Sequence, residues 1–385
     1  MTTEPQIRTA QSCAIDARVA VREFHAGVYQ PAPALVIFFC SGEYELDALA
    51  DEMNRVFEGA RVVGCTSAGE IGPLGYRDRG IAGVSFGAGA CTAVAGRLGQ
   101  LQQFEIRHGQ EFAQALLEQL ESAAPDAGPQ NSLGLLLIDG LSRREEPVAR
   151  ALQNALGNLA LVGGSAGDDL RFDRTWVFHD GAFHTDSALL VLIRTPLPFK
   201  IFKTQHFVSE DERLVVTEAN PSLRLVREIN GLPAAEEYAR VVGVPVGDLT
   251  PLRFAASPVV VAIDRSDYVR SIQKANPDGS LTFYCAIDEG LVLRAVRGVD
   301  LLGNLEQAFA ALRAEIGPPQ LVFACDCILR KLEITQNGIR DAVAEVFRQN
   351  HAIGFSTYGE QFRGVHVNQT LTGVAFGSPG EARDD

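Results

Sequence analysis

The chain has 385 residues, 46% of them hydrophobic, which is enough apolar material for two or three packed domains and too much for general disorder. Thirty-four basic residues against 48 acidic ones leave a net charge of −14, which repels nucleic acid and anionic lipid, and no Lys/Arg cluster exceeds Arg143-Arg144. The apolar runs are far shorter than the ~20 residues of a spanning helix, and the N-terminus MTTEPQIRTAQS has no apolar signal-peptide core.

The first element is an apolar strand, ALVIFFC (34–40), followed by an amphipathic helix near Glu45–Glu58 and a short strand running into a Gly-rich turn, VVGCTSAGE (62–70). The plan recurs as LGLLLID (133–139), a helix near Pro147–Leu156, and LVGGSAGD (161–168). It recurs again as LVFACD (321–326), a helix near Ile339–Gln349, and AIGFSTYGE (352–360). Strands apolar on both faces, joined by helices, imply parallel pairs with right-handed crossovers. Val63–Glu70 aligns with Ile353–Glu360 without a gap, and Gly83 and Gly373 both stand 13 residues past the acid. Val162–Asp168 aligns with one deletion. The reading is an ancestral duplication with a partial third copy.

Between the second and third copies lies different material. A linker-like composition, Thr195-Pro196-Leu197-Pro198, precedes LPFKIFKTQHFV (197–208), read as one strand. LVVTEA (214–219), LRLVREI (223–229) and PVVVAID (258–264) read as strands, and Pro233 opens a helix through Val241. Asn276-Pro277-Asp278-Gly279 marks a hairpin, and Leu305 to Ile316 an amphipathic helix stopped by Gly317-Pro318-Pro319. The fold class expected is α/β, two domains with duplicated βαβ-type units and mixed sheets, divided as 1–195 and 196–385.

Two sets of residues are candidates for a site. In the turns, Thr66, Ser67, Glu70, Ser165, Asp168, Ser356, Thr357 and Glu360 combine hydroxyls, acids and Gly-rich backbone, which suits a small polar ligand such as an amino acid. The competing reading is a tight turn whose hydroxyls bond the local backbone. Among seven histidines, His206, His351 and His366 have apolar or aromatic neighbours and are candidate metal or haem ligands, against a plain role as core or rim residues. Cys325 and Cys327 share a strand face, with packing as the simpler role. Seven scattered cysteines in apolar runs fit reduced thiols in a cytoplasmic protein. No P-loop, GxGxxG helix or HExxH pattern occurs, and no catalytic residues are assigned.

VVGCTSAGEIGPLGY, GGSAGDD and FSTYGEQF…HVNQT resemble the FIST sensory domains, N-terminal and C-terminal halves in succession, from about Arg18 to Gly377. The resemblance assigns 1–195 to the N-terminal half and 196–385 to the C-terminal half. It implies a cytoplasmic input module without enzymatic activity. FKTQHF (202–207) and Gly364 to Thr370 resemble the free-standing branch that binds haem, senses nitric oxide and regulates a partner histidine kinase in biofilm signalling. That branch implies a non-covalent haem b, since CxxCH is lacking, and does not fix the iron ligand; His366, six residues past Glu360 and close to a Gly-rich turn, is preferred over His206 and His351. A haem-free module for a polar metabolite is the alternative. No nucleic acid or membrane partner is expected, and a homodimer is left open.

Overall fold

The computed structural model describes residues 7–263 and 266–378. The first repeat folds as β1 (Ile7–Ser12), α1 (Ala17–Val28), β2 (Leu35–Ser41), α2 (Leu46–Val56), β3 (Val62–Ser67), the hairpin β4 (Glu70–Gly72) and β5 (Gly75–Arg77), and β6 (Ile81–Phe86). The second follows the same series: β7 (Thr92–Gly99), α3 (Ile106–Ala123), β8 (Ser132–Ile138), α4 (Glu145–Leu156), β9 (Ala160–Ser165), β10 (Val177–His179), β11 (Ala182–His184) and β12 (Ser187–Arg194).

The third opens with β13 (Phe199–Thr204) and is then interrupted. The interruption holds β14 (Phe207–Asn220), β15 (Leu225–Ile229), β16 (Leu232–Pro233), α5 (Ala234–Val242), α6 (Pro251–Ala256), β17 (Val259–Ile263), β18 (Ser266–Arg270), β19 (Ile272–Ala275), β20 (Leu281–Phe283) and β21 (Val292–Gly298). The unit resumes with α7 (Leu301–Ile316), β22 (Leu321–Cys327), α8 (Ile328–Gln336), α9 (Arg340–Gln349), β23 (Ala352–Thr357), β24 (Glu360–Phe362), β25 (Val365–Val367) and β26 (Leu371–Phe376). The expectation of a partial copy is thereby corrected, because all three units are complete. In the unit over 92–194 the hairpin comes nine residues late, after an extra loop over 168–176, which hides the match along the sequence.

The units are interlocked. Their sheets run β1-β6-β2-β3-β10-β11, β7-β12-β8-β9-β24-β25 and β13-β26-β22-β23-β4-β5, so each sheet is finished by a hairpin from another unit, in a closed cycle. In each, the βαβ pair is parallel: β2 with β3, β8 with β9, β22 with β23. Inner faces of the three sheets share one core, as in a barrel, and there Phe39 stacks on Phe355 with centroids 4.2 Å apart. Helices cover the outer faces with i, i+4 stripes: Leu49 and Met53 on α2, Val148 and Leu152 on α4, Val343 and Phe347 on α9. Glycine is required where the parallel strands approach. A Cβ at Gly64, Gly163 or Gly354, which hold one equivalent position, would meet the facing carbonyl oxygen at 2.4, 1.9 and 1.7 Å.

The interruption is a separate layer, an eight-stranded antiparallel sheet in the order β18-β17-β21-β14-β15-β20-β19, with β16 on β15 and its own apolar core. The stretch 197–208, expected as one strand, is two, broken at Gln205-His206 where the chain leaves the barrel. The expected hairpin at Asn276–Gly279 joins β19 to β20. Asp264, expected to end a strand, lies outside the described residues. Among the described residues no helix is long and apolar enough to cross a membrane.

Candidate functional site

The three Gly-rich turns meet at the C-terminal end of the barrel strands. Ala68 N–H donates to the Ser356 carbonyl (2.9 Å), Gly167 N–H to the Thr66 carbonyl (3.1 Å) and Tyr358 N–H to the Ser165 carbonyl (3.2 Å), closing a ring of main-chain bonds. Thr66, Ser67, Glu70, Ser165, Ser356, Thr357 and Glu360 have no exposed surface, and Asp168 has 1%. The turn candidates are therefore brought together, in an interior from which solvent is excluded.

Each acid there has a structural partner. Ser67 Oγ donates to Glu70 Oε1 at 2.6 Å and Gly80 N–H to Oε2 at 2.9 Å. Thr357 Oγ1 and Thr370 Oγ1 donate to Glu360, the second at 2.6 Å. Burial pushes both carboxyls up to about 8, so at neutral pH they are largely protonated. Asp168 is not their counterpart. Strand register puts Val177, opposite Cys65, where Glu70 stands opposite Phe355. In the second unit Asp139 takes over, accepting from Asp186 N–H at 2.7 Å and from the Thr175 hydroxyl. Asp168 instead organises the extra loop.

The three histidines lie apart. His206 is fully buried at the exit to the inserted layer, with Nδ1 3.2 Å from Arg330 Nη1 and Nε2 2.9 Å from Glu333 Oε1. Arg330 in turn donates to Asp326 at 2.6 Å, and Asp326 accepts from the Tyr76 hydroxyl. The chain Tyr76–Asp326–Arg330–His206–Glu333 thus pins the inserted layer to the third unit, a network of which sequence spacing carries no sign. His351 is exposed on the turn before β23, with φ +51 and Nδ1 3.0 Å from the Pro319 carbonyl. Cys325 and Cys327 are buried, and no cluster of three or more metal-ligating side chains occurs among the described residues.

His366 differs from both. It sits on β25, 2% exposed, beside a cleft of about 560 Å³ between α4 and the inserted layer. Nδ1 lies 3.3 Å from Gln361 Nε2, whose amide also donates to Ser165 Oγ at 2.9 Å. Nε2 has no partner, and neither do the neighbouring Gln361 Oε1 and Asn368 Oδ1. A Cβ on Gly359 would fall 2.7 Å from Nε2 and 3.1 Å from the Asn368 amide nitrogen. Burial depresses the imidazole to about 4, so it is neutral at pH 7. The cleft is lined by Ile106, Ala151, Val261 and Leu291, with Arg150 and Arg270 among them. Arg270 donates to the His366 carbonyl at 3.0 Å.

The chain is similar to known proteins to differing degrees. The FIST N domain matches residues 34–232 and the FIST C domain residues 234–363. An uncharacterized protein of Methanocaldococcus jannaschii is 21% identical over 373 residues, covering 85% of this chain and 71% of that one. Among solved structures, a cyanuric acid hydrolase from A. caulinodans aligns over 97% of this chain and all of that chain, at 10% identity and a TM-score of 0.38. A chorismatase aligns over 97% of this chain and 98% of that chain, also at 10% identity and a TM-score of 0.38.

Proposed function

The chain belongs to the FIST family, a sensory signal-transduction module with N and C domains in succession, and from that premise we propose that its input is nitric oxide read through a haem b held by His366. The observation that carries this is the state of one imidazole: neutral, buried, fixed at Nδ1 by Gln361 and unpartnered at Nε2. An iron ligand needs a neutral ring protonated at its second nitrogen and oriented there by an acceptor; His366 meets this with the Gln361 amide turned so that Oε1, in place of Nε2, accepts from Nδ1–H and leaves the Nε2 lone pair free. His206 has both nitrogens engaged and His351 stands in solvent, so neither fits the group.

Bound non-covalently, haem supplies an iron position open to a diatomic gas. The protein's part is to hold and shield. Ser165 orients Gln361, and Gln361 orients His366. Ile106, Ala151, Val261 and Leu291 exclude water, and Arg150 and Arg270 offer charge to carboxylates. Output goes through protein contact to a histidine kinase, in the cytoplasm, without catalysis by this chain.

Reconstitution with haemin tests the reading. The wild type and the His206→Ala and His351→Ala variants should develop a Soret band that shifts with nitric oxide, and His366→Ala should not. Thermal melting of each variant separates ligand loss from unfolding. A wild type with no Soret band, or a folded His366→Ala with an unchanged one, overturns it. One observation favours a second reading: the orphaned Gln361 Oε1 and Asn368 Oδ1 beside His366 suit a small hydrogen-bonding metabolite. A haem-free protein stabilised by an amino acid would support that alternative.

A further inference from the structure

The second unit departs from the others in one place. Where Glu70 and Glu360 lead straight into their hairpins, residues 168–176 form an extra loop over the barrel mouth. Asp168 builds it: the carboxylate accepts the N–H groups of Phe172 (2.9 Å), Asp173 (2.7 Å) and Arg174 (3.0 Å), and the Tyr358 hydroxyl. The loop holds Asp169, Leu170 and Phe172 in the left-handed region, at φ 58, 66 and 53. Arg143 and Arg224, at φ 56 and 55, face it across a cleft of about 320 Å³. Non-glycine residues there cost about 1–3 kcal/mol each and persist where the surroundings over-determine them, commonly at ligand sites.

The cleft has a flat wall, and its rim carries two arginines, Arg143 and Arg224, with one carboxylate, Asp173. Phe172 stacks on Tyr358 with centroids 4.8 Å apart and planes at 22°, and Tyr284 stands 6.5 Å from Phe172. Phe172 is nonetheless 38% exposed, so an aromatic face remains open. Arg224 is already matched to Glu145 at 2.6 Å and Glu146 at 3.1 Å. Arg143, exposed at the rim, has no ion-pair partner among the described residues.

We propose that this cleft is a second ligand site, separate from the cleft at His366, and that it takes a single flat aromatic ring carrying a carboxylate. The ring lies against Phe172, where offset stacking adds to burial. The carboxylate meets the Arg143 guanidinium, whose planar fork matches it. A volume near the lower end of the ~300–1,000 Å³ of ligand pockets suits one ring rather than a macrocycle.

Trp176, the chain's single tryptophan, closes the loop and supplies the signal. The full chain is titrated with benzoate and 4-hydroxyphenylacetate, by tryptophan fluorescence and by calorimetry, with benzamide as the neutral control. At least one acid should bind saturably. Phe172→Ala and Arg143→Gln should each weaken it at least ~tenfold, as should replacing the acid by benzamide. Arg348→Gln, the same charge change on the exposed face of α9, should bind as the wild type does. Saturable binding of neither acid overturns the site. Undiminished binding by folded Phe172→Ala and Arg143→Gln variants overturns it too, as does equal weakening in Arg348→Gln, which would make the effect one of net charge.

Discussion

Glu146 and Arg224 meet at 3.1 Å, and each lines a different cleft: Glu146 the one at His366, Arg224 the one under Phe172. Glu146 also accepts Ala286 N–H at 2.8 Å, so the pair ties α4 to the inserted layer. Glu145, bonded to the same guanidinium at 2.6 Å, is pushed up to about 7 by burial. Removing the arginine leaves the buried Glu145 and the half-buried Glu146 without a cation. Arg224→Met should therefore cost about 3–5 kcal/mol in urea unfolding. A loss under ~1 kcal/mol would mean that the pair is solvated in solution.

The acids at the ring make stability fall as the solution becomes alkaline. Glu70 and Glu360 have folded values near 8, above the 4.5 of a free carboxyl. Their contribution is complete below pH ~4.5 and is lost as pH rises through about 8. Glu70→Gln keeps the shape and cannot ionise, so its melting temperature should vary less across that window. The difference from wild type should be on the order of 2–4 kcal/mol between the ends of the window. Parallel curves for the two proteins would show that Glu70 does not titrate there.

His366 acts in the opposite direction. Its folded value of about 4 lies below the free 6.5, so its contribution is complete above pH ~6.5 and lost as pH falls through about 4. His366→Asn should flatten the acid limb of the stability profile. NMR titration of the imidazole checks the cause directly, with an ordinary midpoint near ~6.5 as the outcome that removes it.

Gly354→Ala should be far more damaging than its size suggests. The added methyl would start 1.7 Å from the Ala324 carbonyl oxygen, inside a parallel strand pair that can move only with its sheet. A cost above ~4 kcal/mol, or no folded protein, is expected. At Gly128 nothing lies within 4 Å, and Gly128→Ala should stay within ~0.5 kcal/mol. Denaturant curves of the two variants make the comparison.

What can be read in the sequence depends on how local the cause is. Gly64, Gly163 and Gly354 stand out because each sits against a strand only one crossover away, so the same residue recurs at the same offset. Glu70 and Glu360 stand out for the same reason. The second unit misleads because its buried acid has moved to Asp139, at the end of a different strand, while Asp168 keeps the motif's spacing and takes another task. His206 and Arg330 are 124 residues apart, and no pattern along the chain announces that they touch. Helix α8 escapes notice because Ile328 follows β22 without a turn residue between them.

The cyclic exchange of hairpins has a consequence for how the protein is made. Strand β4 pairs with β23, so Ile71 finds its place beside Gly354 only after almost the whole chain has left the ribosome. Until then an early hairpin and the strand edges awaiting it are open to other chains, the condition that favours mispairing. Contacts this distant in sequence also make closure slow. A stalled or truncated product therefore cannot be a smaller working sensor. It is an unfinished ring with a free edge, and a natural client for chaperones.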